Sequence, residues 1–250
     1  MKAFTSILLL CMLLSINNNI YAKTITLDKD TKLVPLGWTV ADDTKFKKDT
    51  IAEINEDWQI IQGTLAASTY LRPTGWRNLI NNNYYAEATT NFFPPRFFRP
   101  FSPRYGVIIP ADGHVRYKGN TSVTFKEDGT VLSGTIDNDV VLQLNENGYG
   151  FVTFKNDTVL TFYPDGKIKS GTLAESTKLR PLGWQNNLTD ENAGFLEFKN
   201  NSFIIFTEDG FVKQGLLKSK KLWYNADGSS QNLENKVSLN FTEKSAEETK

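Results

Sequence analysis

Few residues in this chain could do chemistry, and they are poorly spaced for it. There is one histidine, His114, in Ala111-Asp112-Gly113-His114-Val115 beside a turn. A Ser-His-Asp arrangement also needs a nucleophile on a strained turn, and Gly-x-Ser-x-Gly does not occur. A zinc site takes three or four nitrogen, sulfur or oxygen ligands, so no metal is expected. No cofactor is expected either, because glycine-rich phosphate loops and the dinucleotide fingerprint are both missing. Carboxylates are plentiful, and a glycoside hydrolase uses a pair of them. Yet Asp128, Asp165 and Asp209 recur at one turn position of successive repeats. A residue repeated because a turn needs it is structural, whereas a catalytic pair stands in one place. The chain therefore reads as non-enzymatic, with a hydrolase the third choice of function.

Aromatic and arginine side chains are the better candidates for binding. Trp38, Trp76 and Trp184 end three copies of one phrase: Leu33-Val-Pro-Leu-Gly-Trp38, Leu71-Arg-Pro-Thr-Gly-Trp76 and Leu179-Arg-Pro-Leu-Gly-Trp184. Arg72 and Arg180 share one position of it. Buried indoles would pack repeat on repeat, and solvent-facing ones would make stacking platforms for sugar rings. A second candidate lies in the segment 77–106, rich in aromatics, proline and arginine. Phe97, Phe98, Arg99 and Phe101 sit in its densest part. That proline density excludes a helix or an inner strand. The segment reads as a cap over an open sheet edge or as a recognition loop, where Arg and aromatics supply contact energy.

The elements that must position these residues follow from the rest of the chain. It has 250 residues, 28 basic and 28 acidic, for a formal charge of zero. A neutral chain has no long-range field to collect nucleic acid or anionic membrane. Lys2 followed by the apolar run Ala3–Leu14 has signal-peptide form and is too short to span a bilayer. Cleavage is expected after Ala22, so 1–22 is taken as a signal peptide. Cys11 is the only cysteine and leaves with it. The protein is expected to be exported, to the periplasm, the cell surface or the medium, with no membrane span after processing.

The mature chain repeats. Val123-Thr-Phe-Lys-Glu-Asp-Gly129, Leu160-Thr-Phe-Tyr-Pro-Asp-Gly166 and Ile204-Ile-Phe-Thr-Glu-Asp-Gly210 are copies of one another. In a degenerate copy, Ile54 to Leu65, Trp58 replaces the turn glycine. Alternating apolar and polar residues between turn signals mean half-buried antiparallel strands. Gly171 interrupts one such strand and predicts a bulge. Arg180-Pro181-Leu182-Gly183 predicts a type I turn. Each unit reads as three short strands and a return loop.

The fold class is therefore all-β: repeated antiparallel hairpins forming a meander, stacked into an extended, curled or two-layer sheet. The organisation predicted is degenerate repeats over 23–76, the insert 77–106, the main hairpin repeats 107–242 and a charged, frayed tail 243–250.

Tyr163 to Gly171 resembles the hairpin repeats of the MORN-variant group. Leu222 to Gly228 is similar to bacterial cell-wall and choline-binding repeats. The tripled Leu-x-Pro-x-Gly-Trp phrase resembles uncharacterised repeats of exported bacterial proteins. These resemblances imply hairpin repeats that bind or support rather than catalyse. The expected function is a binding or structural scaffold at the cell envelope. The alternative is a carbohydrate or cell-wall binding module using the repeated tryptophans. The partner would be a protein or a cell-wall polysaccharide, not a nucleic acid.

Overall fold

The structure is a computed structural model, and it describes residues 22–37, 44–79, 113–144, 150–188 and 193–248. The N-terminal strands are β1 (Lys23–Thr26), β2 (Thr31–Lys32), β3 (Val34–Pro35) and β4 (Lys45–Phe46). Hairpin β5 (Ile51–Ile54) and β6 (Gln59–Thr64) follows, then β7 (Thr69–Leu71) and β8 (Val115–Tyr117). The pattern recurs as β9 (Ser122–Phe125), β10 (Val131–Thr135), β11 (Val140–Gln143) and β12 (Phe151–Phe154). It recurs again as β13 (Val159–Phe162), β14 (Ile168–Thr172), β15 (Thr177–Leu179) and β16 (Leu196–Phe198). The chain then forms β17 (Phe203–Phe206), β18 (Val212–Leu216), β19 (Lys221–Tyr224) and β20 (Ser230–Leu233). It closes with β21 (Ser238–Phe241) and β22 (Ala246–Glu248).

Two hairpin sets alternate along this order. One set lies side by side in a single sheet, β1-β5-β6-β9-β10-β13-β14-β17-β18-β21-β22, with β3 joining β6 in parallel. The other set forms two-stranded covers, β2/β4, β7/β8, β11/β12, β15/β16 and β19/β20. The expected all-β hairpin meander is thus present as an open main sheet with a layer of cover hairpins. Each unit has four strands rather than three, because the segment read as a return loop holds β15. The described part of the tail, to Glu248, is not frayed as expected: β22 pairs with β21, and its Ala246 is buried.

The core lies between the layers. Val123 and Phe125, Leu160 and Phe162, Ile204 and Phe206 turn inward from the main sheet, as period-two alternation requires. Three of the covers send a ring down against a phenylalanine of the main hairpin after the one they lead into. Phe46 meets Phe125 at 6.3 Å, Phe154 meets Phe206 at 6.4 Å and Phe198 meets Phe241 at 6.0 Å, all edge to face. Such pairs add about 0.5–1.5 kcal/mol beyond the area they bury.

These rings explain the strand glycine. A Cβ on Gly171 would stand 2.5 Å from Phe154 Cδ1, and one on Gly215 2.7 Å from Phe198 Cδ1. Gly171 is in regular register with Ile204, so it is not the bulge that was expected there. The bulge falls at Lys169, where the register slips between Thr161–Ser170 and Phe162–Ile168. The same slip recurs at Ile61, Leu132 and Lys213. The Asp-Gly turns form as predicted, Gly129, Gly166 and Gly210 all having positive φ, and Trp58 takes that conformation at φ 60.

Candidate functional site

The repeated Leu-x-Pro-x-Gly-Trp phrase is the structural feature around which the candidate binding residues gather. In each copy the segment after a cover strand lies parallel to the next main hairpin. Val131 N–H donates to the Arg72 carbonyl and Thr74 N–H donates back to the Val131 carbonyl, both at 2.9 Å. Val212 and the Arg180–Leu182 segment repeat this at 2.9 Å, and Leu36 N–H donates to the Ile60 carbonyl at 2.9 Å. Proline suits this position because only one edge of the segment is hydrogen-bonded.

The chain then turns within Pro-x-Gly-Trp. Trp184 N–H donates to the Pro181 carbonyl at 3.2 Å, and Gly183 has φ 77 and ψ 7. The type I turn expected over Arg180–Gly183 is therefore a turn one residue later. Its third residue is the left-handed glycine that type II requires. That glycine presses on the turn of the following main hairpin. A Cβ on Gly37 would come 1.9 Å from the Glu127 carbonyl oxygen. The corresponding distances are 2.2 Å from Gly166 O for Gly75, and 2.7 Å from Thr242 O for Gly183. Each phrase thus bonds one main hairpin and wedges against the next, as a brace across the junction.

The arginine of the phrase lies over its tryptophan. The guanidinium of Arg180 is 3.9 Å from the Trp184 ring and 4.4 Å from that of Phe195. Arg72 is 4.5 Å and Arg77 4.7 Å from the Trp76 ring. Such contacts are worth about 0.5–2 kcal/mol each. Both indoles are half-buried and pack on the core. Trp76 also has Gly113 against its ring, and Phe211 lies 6.2 Å from Trp184 at a 35° tilt. The Trp184 indole N–H has no hydrogen-bond partner among the described residues.

Sequence reasoning placed Arg72, Trp76, Arg180 and Trp184 in one candidate set. The structure brings them together in pairs, at two separate junctions, rather than in one site. Trp38, Phe97, Phe98, Arg99 and Phe101 lie outside the described residues. His114 is half-buried immediately before β8.

A cleft of about 460 Å³ opens beside the second brace, lined among others by Arg72, Trp76, Arg77, Lys126, Asp128 and Asp165. Both of its lining carboxylates are already engaged by lysines. Lys126 pairs with Asp128 at 3.1 Å, and Lys167 with Asp165 at 3.3 Å. Partial burial pushes the Asp128 carboxyl up. Hydrogen bonds from the Thr130 hydroxyl and N–H, and from Lys126, outweigh this and hold it below its ordinary range. That is the opposite of the shift a general acid needs. Among the described residues, no three His, Asp or Glu side chains are grouped as a metal would require.

No family model, curated protein or solved structure matches this chain.

One device escaped sequence reading. At the end of four of the five cover strands that enter a main hairpin stands Phe/Tyr-Lys-x-Asp/Asn-Ser/Thr: Phe46 to Thr50, Tyr117 to Thr121, Phe154 to Thr158 and Phe198 to Ser202. Asp49, Asn120, Asp157 and Asn201 have φ between 53 and 61. Their N–H groups donate to Leu27, Leu65, Ile136 and Leu173 carbonyls of the preceding unit. Lys118 reaches Asp157 of the next unit at 2.5 Å, and Lys155 likewise reaches Asn201. The shared spacing of these five residues was the signal that could have revealed it.

Proposed function

We propose that this chain is an exported, non-enzymatic repeat protein that acts as a binding scaffold at the cell envelope. The observation that carries the reading is the chaining of main hairpins by repeated braces, turns and lysine bridges. A stack built from nearest-neighbour contacts presents a long regular surface and needs no catalytic cleft. The signal-peptide form of 1–22 supports export, and the downward shift of Asp128 favours a structural carboxylate over an acid catalyst. The resemblance of the hairpins to cell-wall-binding repeats points the same way.

The test is fractionation of bacterial cells expressing the full chain with a C-terminal tag, with mass measurement of the product. The expected product is an envelope or extracellular protein beginning at Lys23. An uncleaved product confined to the cytoplasm contradicts the reading.

A further inference from the structure

The outward face of the main sheet carries a pattern that packing does not demand. Its strands are in continuous register, so the residue between the two inward apolar positions forms one row across the sheet. From β6 to β14 that row is Gln62–Thr124–Ser133–Thr161–Ser170. It continues through Ile205 and Gln214 to Asn240. Two residues along each strand, a second row pairs Thr64 with Ser122, Thr135 with Val159, and Thr172 with Phe203. Neither row contains a charged residue on any of the eight strands from β6 to β21. Yet 22% of the chain is charged. Charges stand beside the rows: Glu53 and Glu247 on flanking strands, and the exposed Lys169 and Lys213 at the bulges of β14 and β18.

A solvated sheet face is normally sprinkled with charge, which keeps it soluble and discourages association. Here the two rows themselves carry none. Apart from the buried Ser170, whose hydroxyl pairs with that of Thr161 at 2.6 Å, the face offers hydroxyls and amides, each both donor and acceptor, on strands about 4.8 Å apart. Apolar groups lie among them: Val159 is 49% and Phe203 50% exposed.

We infer that this face is a docking surface for a neutral polysaccharide chain lying across the strands. Sugar hydroxyls are also both donors and acceptors, and the strand spacing is comparable with the advance per sugar of an extended glycan. Val159 and Phe203 meet the C–H faces of the rings. Two lysines beside otherwise uncharged rows make no continuous basic track, which counts against nucleic acid and anionic lipid. A second copy fits less well, because stable homodimer faces are predominantly apolar. This inference deepens the scaffold reading and rests on it, but it moves the binding surface away from the tryptophans.

The test is co-sedimentation of the purified protein with insoluble cellulose and chitin, alongside Thr161→Glu and the milder Thr135→Lys. Melting temperature and circular dichroism verify that each variant is folded. The expected result is binding to at least one of the neutral polymers, weakened at least tenfold by either folded variant and unchanged in Trp184→Phe. Three outcomes overturn the inference: no binding to any of them, binding lost in Trp184→Phe but kept in both face variants, or a concentration-dependent dimer that the face variants abolish. Failure of these binding assays with envelope localisation intact leaves the scaffold reading standing. A cytoplasmic, uncleaved product removes that reading whatever the polymers do.

Discussion

At the scale of single residues, the repeat supplies its own controls. Tyr117 occupies the position held by Phe46, Phe154 and Phe198 in the other units, and like them it is fully buried. Its hydroxyl has no hydrogen-bond partner among the described residues, and burial pushes its phenol far up. Tyr117→Phe removes an unpaired polar group without changing the ring, so it should stabilise the fold by about 1–2 kcal/mol; urea denaturation reads this directly. The phenol also sets a pH dependence. Its folded pKa is raised, so its contribution is full below the unfolded tyrosine value near 10 and is lost as pH rises beyond it. The alkaline fall in stability should therefore be shallower in Tyr117→Phe. Asp128 has the opposite sign: its contribution is present above the unfolded carboxylate value and lost as pH falls through the lower folded one. Trp58 holds a left-handed turn position that glycine fills elsewhere, and it is 59% exposed. Trp58→Gly relieves strain of about 1 kcal/mol, less whatever Lys23 gains over the ring at 5.8 Å. Thermal unfolding should show a higher midpoint.

Elements are where the sequence was most and least legible. Alternation and Asp-Gly signals located the main hairpins, because both are local chemistry. The cover strands were partly missed, since β15 is three residues long and reads as loop until its partner β16 is known. Gly171 was read as a bulge because conformational freedom is the usual reason for glycine in a strand. Its actual reason is the Phe154 ring from another layer, which local sequence does not display. Gly171→Ala should destabilise by about 1–3 kcal/mol through overpacking. Combining it with Phe154→Leu should cost less than the sum of the two, a coupling that a double-mutant cycle measures. Additive costs would separate the glycine from the ring. The tryptophans recur visibly in the sequence, but the surroundings of Trp76 and Trp184 depend on exposure and neighbours that spacing does not display. Arg180 lying 3.9 Å over Trp184 supplies the reason for an arginine at that position, which spacing alone could not.

At the scale of the whole molecule, hairpins are held in line by repeated devices acting between neighbours. The Lys118 and Lys155 bridges and the Pro-x-Gly-Trp braces each join one unit to the next, and the rings of the covers reach one main hairpin further. Stability should then be distributed along the stack, and a weakened junction should open without unfolding distant ones. The most direct test is native-state amide hydrogen exchange at Val131 and Val212 in the unmodified protein, Gly75→Ala and Gly183→Ala. Val131 N–H is bonded to the second brace, and Val212 N–H to the third. Gly75→Ala should lower protection at Val131 and leave Val212 nearly unchanged, and Gly183→Ala should do the reverse. Unchanged protection at both amides, in variants shown to be folded, would contradict the claim that these phrases brace the sheet.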